Sequence, residues 1–286
     1  EMMNFPGVIN KDKNVLEKLY LAKKYNKKID GHSPGLRGDD LDRYIEEGIE
    51  TDHECFSYEE AVEKIQKGMK ILIRQGSAAK NFSALEKLID QFPDKILFCS
   101  DDLHPDDLVK GHINILIRLG LKKKLDLFNL LRAATINPVQ HYNLDVGLLK
   151  ESDPADFIII DSLDNFEVIK TFINGELVYQ KGRDLLKVKT QEKPNNFNAQ
   201  KILPAVLQVP DLGKKIKVIN AFDGELITSC SEEILKAENG ELQTDIESDV
   251  LKIVVLNRYE KEPPAVAFIR NFGLKTGAIA SSIAHD

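Results

Sequence analysis

The chain has only three cysteines, Cys55, Cys99 and Cys230, and their spacing forms no pattern. So sparse and odd a set fits a reducing, cytoplasmic compartment, and Cys55 has no cysteine neighbour that would make a zinc motif. Long apolar runs are missing as well, so no segment is expected to span a bilayer. No basic segment leading into an apolar one opens the chain, which gives no indication of secretion. Positive charge is not in excess: the formal net charge is −7, which argues against nucleic acid as the main partner. Neither G-x-x-x-x-G-K-[ST] nor a strand-linked G-x-G-x-x-G occurs, so nucleotide-phosphate binding lacks support, and H-E-x-x-H is absent too. The remaining composition, 42% hydrophobic and 30% charged, is that of an ordinary globular protein. A length of 286 residues suggests about two domains.

Against that plain background, Glu1, His32, His53, Asp101 and Asp102 stand at the ends of apolar runs, at roughly regular intervals. Strands are expected at Lys28 to His32, Ile49 to His53, Lys70 to Arg74 and Lys95 to Ser100, with Glu1 ending an earlier one. A helical pattern follows each. Asn14 to Tyr25 carries a helical apolar face, and Asp39 or Asp40 is expected to cap a helix running to about Glu47. Ser57-Tyr58-Glu59-Glu60 and Ser83-Ala84-Leu85-Glu86 read as capping boxes. Pro105 suits a first helical turn, and helices are expected near 106–119 and 124–134. Strand–helix repeats stack their strands in parallel, so the strand ends converge on one face. Two imidazoles and several carboxylates meeting there can hold a divalent metal and activate water. Periodicity alone leaves an open parallel sheet as the alternative to a barrel.

Beyond about residue 143 the texture changes to short strands. Phe157 to Ile160 reads as a buried run. Asn174-Gly175 and Asp223-Gly224 each sit between β-prone segments and signal hairpins. Residues 180–200 read as a linker, and Val250 to Leu256 as a strand. Gly273 and Gly277 mark the last segment as a place for a tight turn close to a ligand. The chain opens on Glu1-Met2-Met3 and stops at His285-Asp286; both ends read as cuts inside a larger protein.

Each candidate has a bland alternative. His32, in Asp30-Gly31-His32-Ser33-Pro34-Gly35, is a ligand or an ordinary loop residue. His53 is flanked by Asp52 and Glu54, which can set an imidazole tautomer or shuttle a proton, or form a solvated acidic turn. Of Asp101 and Asp102, one can face the strand-end cleft while the other braces a loop. His104 is placed to orient a carboxylate or touch substrate, and Arg74, Gly76 and Ser77 to line the pocket. His112, read as mid-helix, and His141, read as lying in a connection, are assigned structural roles, and Cys99 a core one.

Six segments together resemble the adenine deaminase family of the amidohydrolase superfamily. They are Glu1 to Val8, Gly31 to Leu36, Asp52-His53-Glu54, Arg74 to Asn81, Asp101 to Asp107 and Asn271 to Ala280. The resemblance spans the whole chain. It implies an α/β fold: the last five strands of a TIM barrel of the metal-dependent hydrolase type over 1–142, a small β subdomain over 143–185, and a β-rich α+β C-terminal domain, truncated, over 186–286. It implies hydrolysis of adenine to hypoxanthine and ammonia, in purine salvage, with Mn2+ as the metal and Fe2+ or Zn2+ as alternatives. By the family pattern Glu1 bridges two metals, His32 and His53 bind one, and Asp101 binds the other and handles protons. Glu54 is a further candidate for proton transfer; from their own placement at the strand ends, Arg74, Ser77, Asp102 and His104 are expected to bind substrate. A homodimer is implied for the full-length protein. The family's His-x-His pair is not in this sequence, so the chain reads as an internal fragment that is inactive alone. Another cyclic-amide or amidine hydrolase, or an inactive scaffold, remains the alternative reading.

Overall fold

A computed structural model describes residues 1–186, 193, 196–199, 201–223 and 228–281. The chain divides into two compact units, 1–188 and 189–286. The first unit opens with helices α1 (Phe5–Ile9), α2 (Lys13–Lys24) and α3 (Gly38–Glu46). Next come strand β1 (Thr51–Asp52), helix α4 (Tyr58–Gln66), strand β2 (Lys70–Arg74), helices α5 (Phe82–Leu85) and α6 (Leu88–Gln91), and strand β3 (Ile96–Cys99). Helices α7 (Pro105–Leu108), α8 (Ile113–Lys122), α9 (Leu127–Ala134) and α10 (Ile136–Tyr142) complete its helical part.

The three strands form one parallel sheet in the order β1-β2-β3. Two further extended stretches lie alongside. Met2 bridges Gly31 in parallel, and the Glu50 amide donates to the Ile29 carbonyl. The segments therefore lie in chain order: Met2, 29–31, β1, β2, β3. The expected strand from Lys28 to His32 is reduced to this single bridge, for a local reason. The Gly31 amide donates to the Thr51 hydroxyl oxygen, so a side chain takes the place of a ladder carbonyl. Gly31 also lies close to its neighbour: a Cβ there would come within 2.2 Å of the Thr51 carbonyl oxygen.

The strands are short but dry. Ile71, Ile73, Ile96 and Leu97 are buried, as parallel strands covered on both faces require. Ala61 and Ile65 of α4, Leu85, Leu88 and Ile89 of α5 and α6, and Leu116, Ile117, Leu130 and Ala133 of α8 and α9 pack on them. A second cluster gathers Met2, Val8, Val15, Leu19, Ile29, Leu41, Tyr44 and Ile49 beneath α1 to α3. Each fully buried aliphatic side chain contributes about 1.5–3 kcal/mol.

Caps differ from expectation where side chains are engaged elsewhere. The Asp12 carboxylate caps α2 by accepting from Asn14 and Val15 amides, and Asp126 does the same for α9. The Ser57 oxygen accepts from the Glu60 amide, but Glu60 turns its carboxylate to Lys64 and to the Gly35 amide, so the capping box is half formed. Neither Asp39 nor Asp40 caps α3; the Gly38 amide donates to Glu63 of α4 instead. Ser83 lies inside α5 rather than before it, with Asn81 at the cap position. The single helix expected near 106–119 is two helices, because Gly111 takes φ +147°. His112 is therefore the N-cap residue of α8 rather than mid-helix. His141 is buried in α10, not in a connection.

Strands β4 (Phe157–Ile160), β5 (Val168–Ile173), β6 (Glu176–Gln180) and β7 (Arg183–Asp184) form an antiparallel meander. Its β5–β6 turn is the expected Asn174-Gly175, both at positive φ, +49° and +80°, as a type I′ hairpin needs. The run from Phe157 to Ile160 is a strand but not a buried one, since Ile158 and Ile159 are exposed; β4 is an edge strand with a register shift between Ile159 and Ile160.

The second unit holds β8 (Ile216–Asn220), β9 (Ser229–Glu233), β10 (Ala237–Glu238), β11 (Glu241–Leu242), β12 (Val250–Val255) and β13 (Ala265–Arg270). Its main sheet has the order β12-β13-β8-β9. Val218, Leu242, Val250 and Phe268 form its core. Arg270 makes a two-pronged ion pair with Glu233, at 2.7 and 2.6 Å. The expected hairpin at Asp223-Gly224 extends over residues 224–227, which lie outside the described residues, as does part of the expected linker, residues 187–192, 194, 195 and 200. Gly273 and Gly277 both take positive φ, and the Gly273 amide donates to the Asp249 carboxylate.

Replacing Gly31 by Ala forces a methyl group onto the Thr51 carbonyl. Overpacking of this kind costs about 1–3 kcal/mol, so the thermal midpoint of the protein should fall by several degrees. An unchanged midpoint would show that the two segments do not pack this closely.

Candidate metal centre

The ordered row of extended segments puts one functional residue after another along a single rim. Glu1 precedes Met2, whose amide donates to the Asp30 carbonyl at 2.8 Å. His32 follows the bridging Gly31. The Tyr44 hydroxyl locks these two together: it donates to the Met2 carbonyl at 2.7 Å and accepts from the His32 amide at 3.0 Å. Tyr44 is fully buried, and burial pushes its phenol pKa up, so the hydroxyl keeps its proton. His53 and Glu54 follow β1, Arg74 closes β2, and Asp101 lies two residues past β3. Asp101 takes φ +49°, a left-handed conformation that aspartate tolerates better than most residues.

These side chains converge. His32 Nδ1 lies 3.2 Å from Glu1 Oε1 and 3.8 Å from Glu54 Oε1. His53 Nε2 lies 3.7 Å from Glu1 Oε1, 3.4 Å from Glu54 Oε1 and 3.9 Å from Asp101 Oδ2. The two imidazoles meet edge to face at 5.3 Å. Donor atoms about 2.0–2.2 Å from one ion stand about 3–4 Å from each other, so the spacings suit a shared cation. His32 Nδ1 is buried and makes no hydrogen bond. An orphaned imidazole nitrogen aimed at carboxylate oxygens is costly unless something occupies the space between them. Two donor groups share His53: Glu1 with His32 and His53, and His53 with Glu54 and Asp101. The residues present fit a divalent metal.

Arg74 organises the acidic side. It is buried and contacts Glu54 Oε1 through one guanidinium nitrogen. The other reaches Asp101 Oδ2 at 2.7 Å and Asp102 Oδ1 at 2.9 Å. Burial works against the Arg74 charge, yet these carboxylates more than offset it and hold its pKa up. Burial likewise raises Glu54, and the charges of Arg74, His53 and His32 only partly reverse this, so its carboxyl sits above the usual range. For Asp102 the balance tips the other way: burial is outweighed by Arg74, and the carboxyl is held low.

Asp102 braces the loop after β2, accepting the Ala78 amide at 3.2 Å. Gly76 is needed there, since a Cβ would sit 1.9 Å from Asp102 Oδ1. The Ser77 hydroxyl donates to Asp107 at 2.6 Å and accepts the His104 amide at 2.9 Å. Ser77 therefore ties this loop to α7, and His104 stands exposed at the start of that helix. His112 Nε2 is 2.9 Å from the Ser100 hydroxyl, next to Asp101, closer to the rim than a mid-helix position would allow. Burial pushes both the Cys55 and Cys99 thiols up, so neither offers a thiolate.

Several contributors escaped the sequence reading. Asn81 is buried; its amide nitrogen donates to the His53 and Cys55 carbonyls and its oxygen accepts the Arg74 amide. Tyr44 and Lys64 were missed as well. Lys64 did carry a signal: it shares the apolar face of α4 with Ala61 and Ile65, where a charged residue demands a partner.

The chain is 55% identical to the adenine deaminase of Methanosarcina barkeri, over all of its own length and 54% of that protein. It is 53% identical to the Sulfurovum enzyme of the same name, over 100% and 52% of the two chains. It thus spans about half the length of the curated relatives it matches. Among solved structures, a beta-aspartyl dipeptidase from Fervidobacterium islandicum superposes with a TM-score of 0.50 at 21% identity, over 64% of this chain and 54% of that one. That likeness concerns the fold alone, a mixed α/β fold of the TIM-barrel type. Residues 225–286 match the adenine deaminase C-terminal domain. The match to the amidohydrolase family runs over residues 1–178 and takes in every segment that carries the candidate metal donors, and the chain belongs to that family.

Proposed function

We propose that this chain is the second part of an adenine deaminase, which hydrolyses adenine to hypoxanthine and ammonia. The observation that carries the reading is the unpartnered His32 Nδ1 facing Glu1 and Glu54 beside His53, in a chain matched end to end by adenine deaminases. On this reading the five parallel segments are five of a barrel's eight strands within residues 1–142. Residues 143–185 form the small β subdomain, and 186–286 belong to the C-terminal domain. The remaining strands, with a His-x-His pair, would come from the rest of the protein.

Glu1, His32 and His53 would hold one divalent ion, with Glu1 bridging to a second held by Asp101. Carboxylate and imidazole donors suit Mn2+ or Fe2+, with Zn2+ as a further candidate. Such an ion would supply Lewis-acid activation of water, lowering its pKa to about 7. Asp101 is placed to accept the water's proton. Glu54, its carboxyl raised by burial, is suited to carry a proton towards the ring or the departing ammonia. Arg74 holds Glu54, Asp101 and Asp102 in one array, and its burial directs it to these partners before substrate. Ser77 and His104 would shape the substrate side through the loop they tie. A cytoplasmic homodimer completes the proposal, and the three unpatterned cysteines support the compartment.

The full-length enzyme should turn over adenine and not adenosine; a parallel ammonia-release assay decides, and faster turnover of adenosine would sink the assignment. His53→Ala should lose bound metal together with activity. Asp101→Ala should lower turnover by about 10²- to 10⁴-fold. Activity within tenfold of wild type in either variant would remove that residue from the site. The 286-residue chain alone should release no ammonia from adenine and should self-associate, since unpaired edges of a parallel sheet invite pairing. A monodisperse monomer with normal turnover, seen by light scattering and the same assay, would refute the fragment reading.

A further inference from the structure

Beneath the donor set lies a second cluster that the reaction does not use. Asp52, Cys55 and Glu60 place their ligating atoms within 4.8 Å of one another, fully out of water. The cation among them is already present: it is Lys64. Its ammonium donates to Glu60 Oε1 at 2.6 Å, the Ser33 carbonyl at 2.7 Å and Asp52 Oδ2 at 2.9 Å. An ammonium has three N–H donors, and all three are taken. Lys64 is completely buried.

Two of those acceptors belong to the ligand-bearing segments. Ser33 follows His32, and Asp52 precedes His53. Asp52 closes the loop by accepting the Ser33 amide at 2.8 Å through Oδ1, while the Cys55 thiol donates to its Oδ2. Glu60 extends the grip by accepting the Gly35 amide at 2.9 Å. The two backbones are therefore pinned to one ammonium and one carboxylate immediately beside the imidazoles. A buried ion pair adds little stability over an apolar replacement, but removing one member leaves the other charged and unpaired. Groups one bond network behind metal ligands set ligand orientation, and their loss weakens metal binding by about 10–100-fold.

We propose that Lys64 is a positioning residue for the metal centre, setting the separation and orientation of His32 and His53 through Ser33 and Asp52. The proposal rests on the reading of those histidines as ligands. It is tested by titrating metal-free full-length enzyme with Mn2+ in a calorimeter, well below the unfolding midpoint. Lys64→Met should fold, by circular dichroism, and bind Mn2+ at least tenfold more weakly. Leu130→Ala, a core truncation on α9 far along the chain from the site, should lower the midpoint yet leave Mn2+ affinity within twofold. Unchanged affinity in folded Lys64→Met, or an equal loss in Leu130→Ala, would overturn the proposal. If Lys64→Met does not fold, Asp52→Asn, which keeps the shape and removes the charge facing Lys64, decides by the same criterion. Wild-type enzyme that binds no Mn2+ removes the metal centre and this inference with it; wild-type binding with an unaltered variant removes the inference alone.

Discussion

Parallel pairing of extended segments in strict chain order is the constraint on which the site depends. Met2 against Gly31, Ile29 against Glu50, Thr51 against Lys70 and Ile71 against Ile96 each place one segment beside the next. Parallel neighbours end on the same side. Residues far apart in sequence, such as Glu1 and Asp101, therefore reach one rim without any local signal between them. The pairing has little regular hydrogen bonding at its start, where β1 has two residues and the 29–31 stretch only a bridge. Side chains take over there: Thr51 bonds Gly31 and Asp30, and Tyr44 bonds Met2 and His32.

Two buried cations then stabilise the rim from different sides of the same short stretch. Lys64 binds Asp52, before His53, and Arg74 binds Glu54, after it. Each has several carboxylate or carbonyl partners, which is the condition under which a buried charge is tolerated. Their geometries suit their tasks. The compact ammonium gathers three acceptors around a point, whereas the planar guanidinium spreads its contacts over Glu54, Asp101 and Asp102. His53 is thereby held between two ionic networks, with Asn81 fixing its carbonyl.

Chemistry follows from the imbalance that remains. The carboxylates of Glu1 and Glu54 and the two imidazoles face one another with His32 Nδ1 unbonded. On the far side of Glu54, Arg74 instead holds the carboxylates of Glu54, Asp101 and Asp102. The open position is thus specific in place and in donor type, which is why a divalent cation is the natural occupant.

The sequence by itself determined β2 and β3, whereas the strand expected at Lys28 to His32 is only a bridge and the one expected at Ile49 to His53 is two residues long. Apolar runs such as Ile71-Leu72-Ile73 and Ile96-Leu97-Phe98 are periodic and local, and β2 and β3 fall on them. The Asn174-Gly175 turn was legible for the same reason: positive φ at two successive positions requires those residue types. Only the tertiary structure decided what covers what and which partner each polar group takes. The exposed face of Phe157 to Ile160, the break at Gly111 that brings His112 to Ser100, and the capture of Gly38 by Glu63 depend on neighbours distant in the chain. So does Lys64, whose three acceptors come from residues 33, 52 and 60. Periodicity records which side of an element is buried, because that is a property of one segment. A hydrogen-bond partner is a property of two segments, and it exists only once the fold has brought them together.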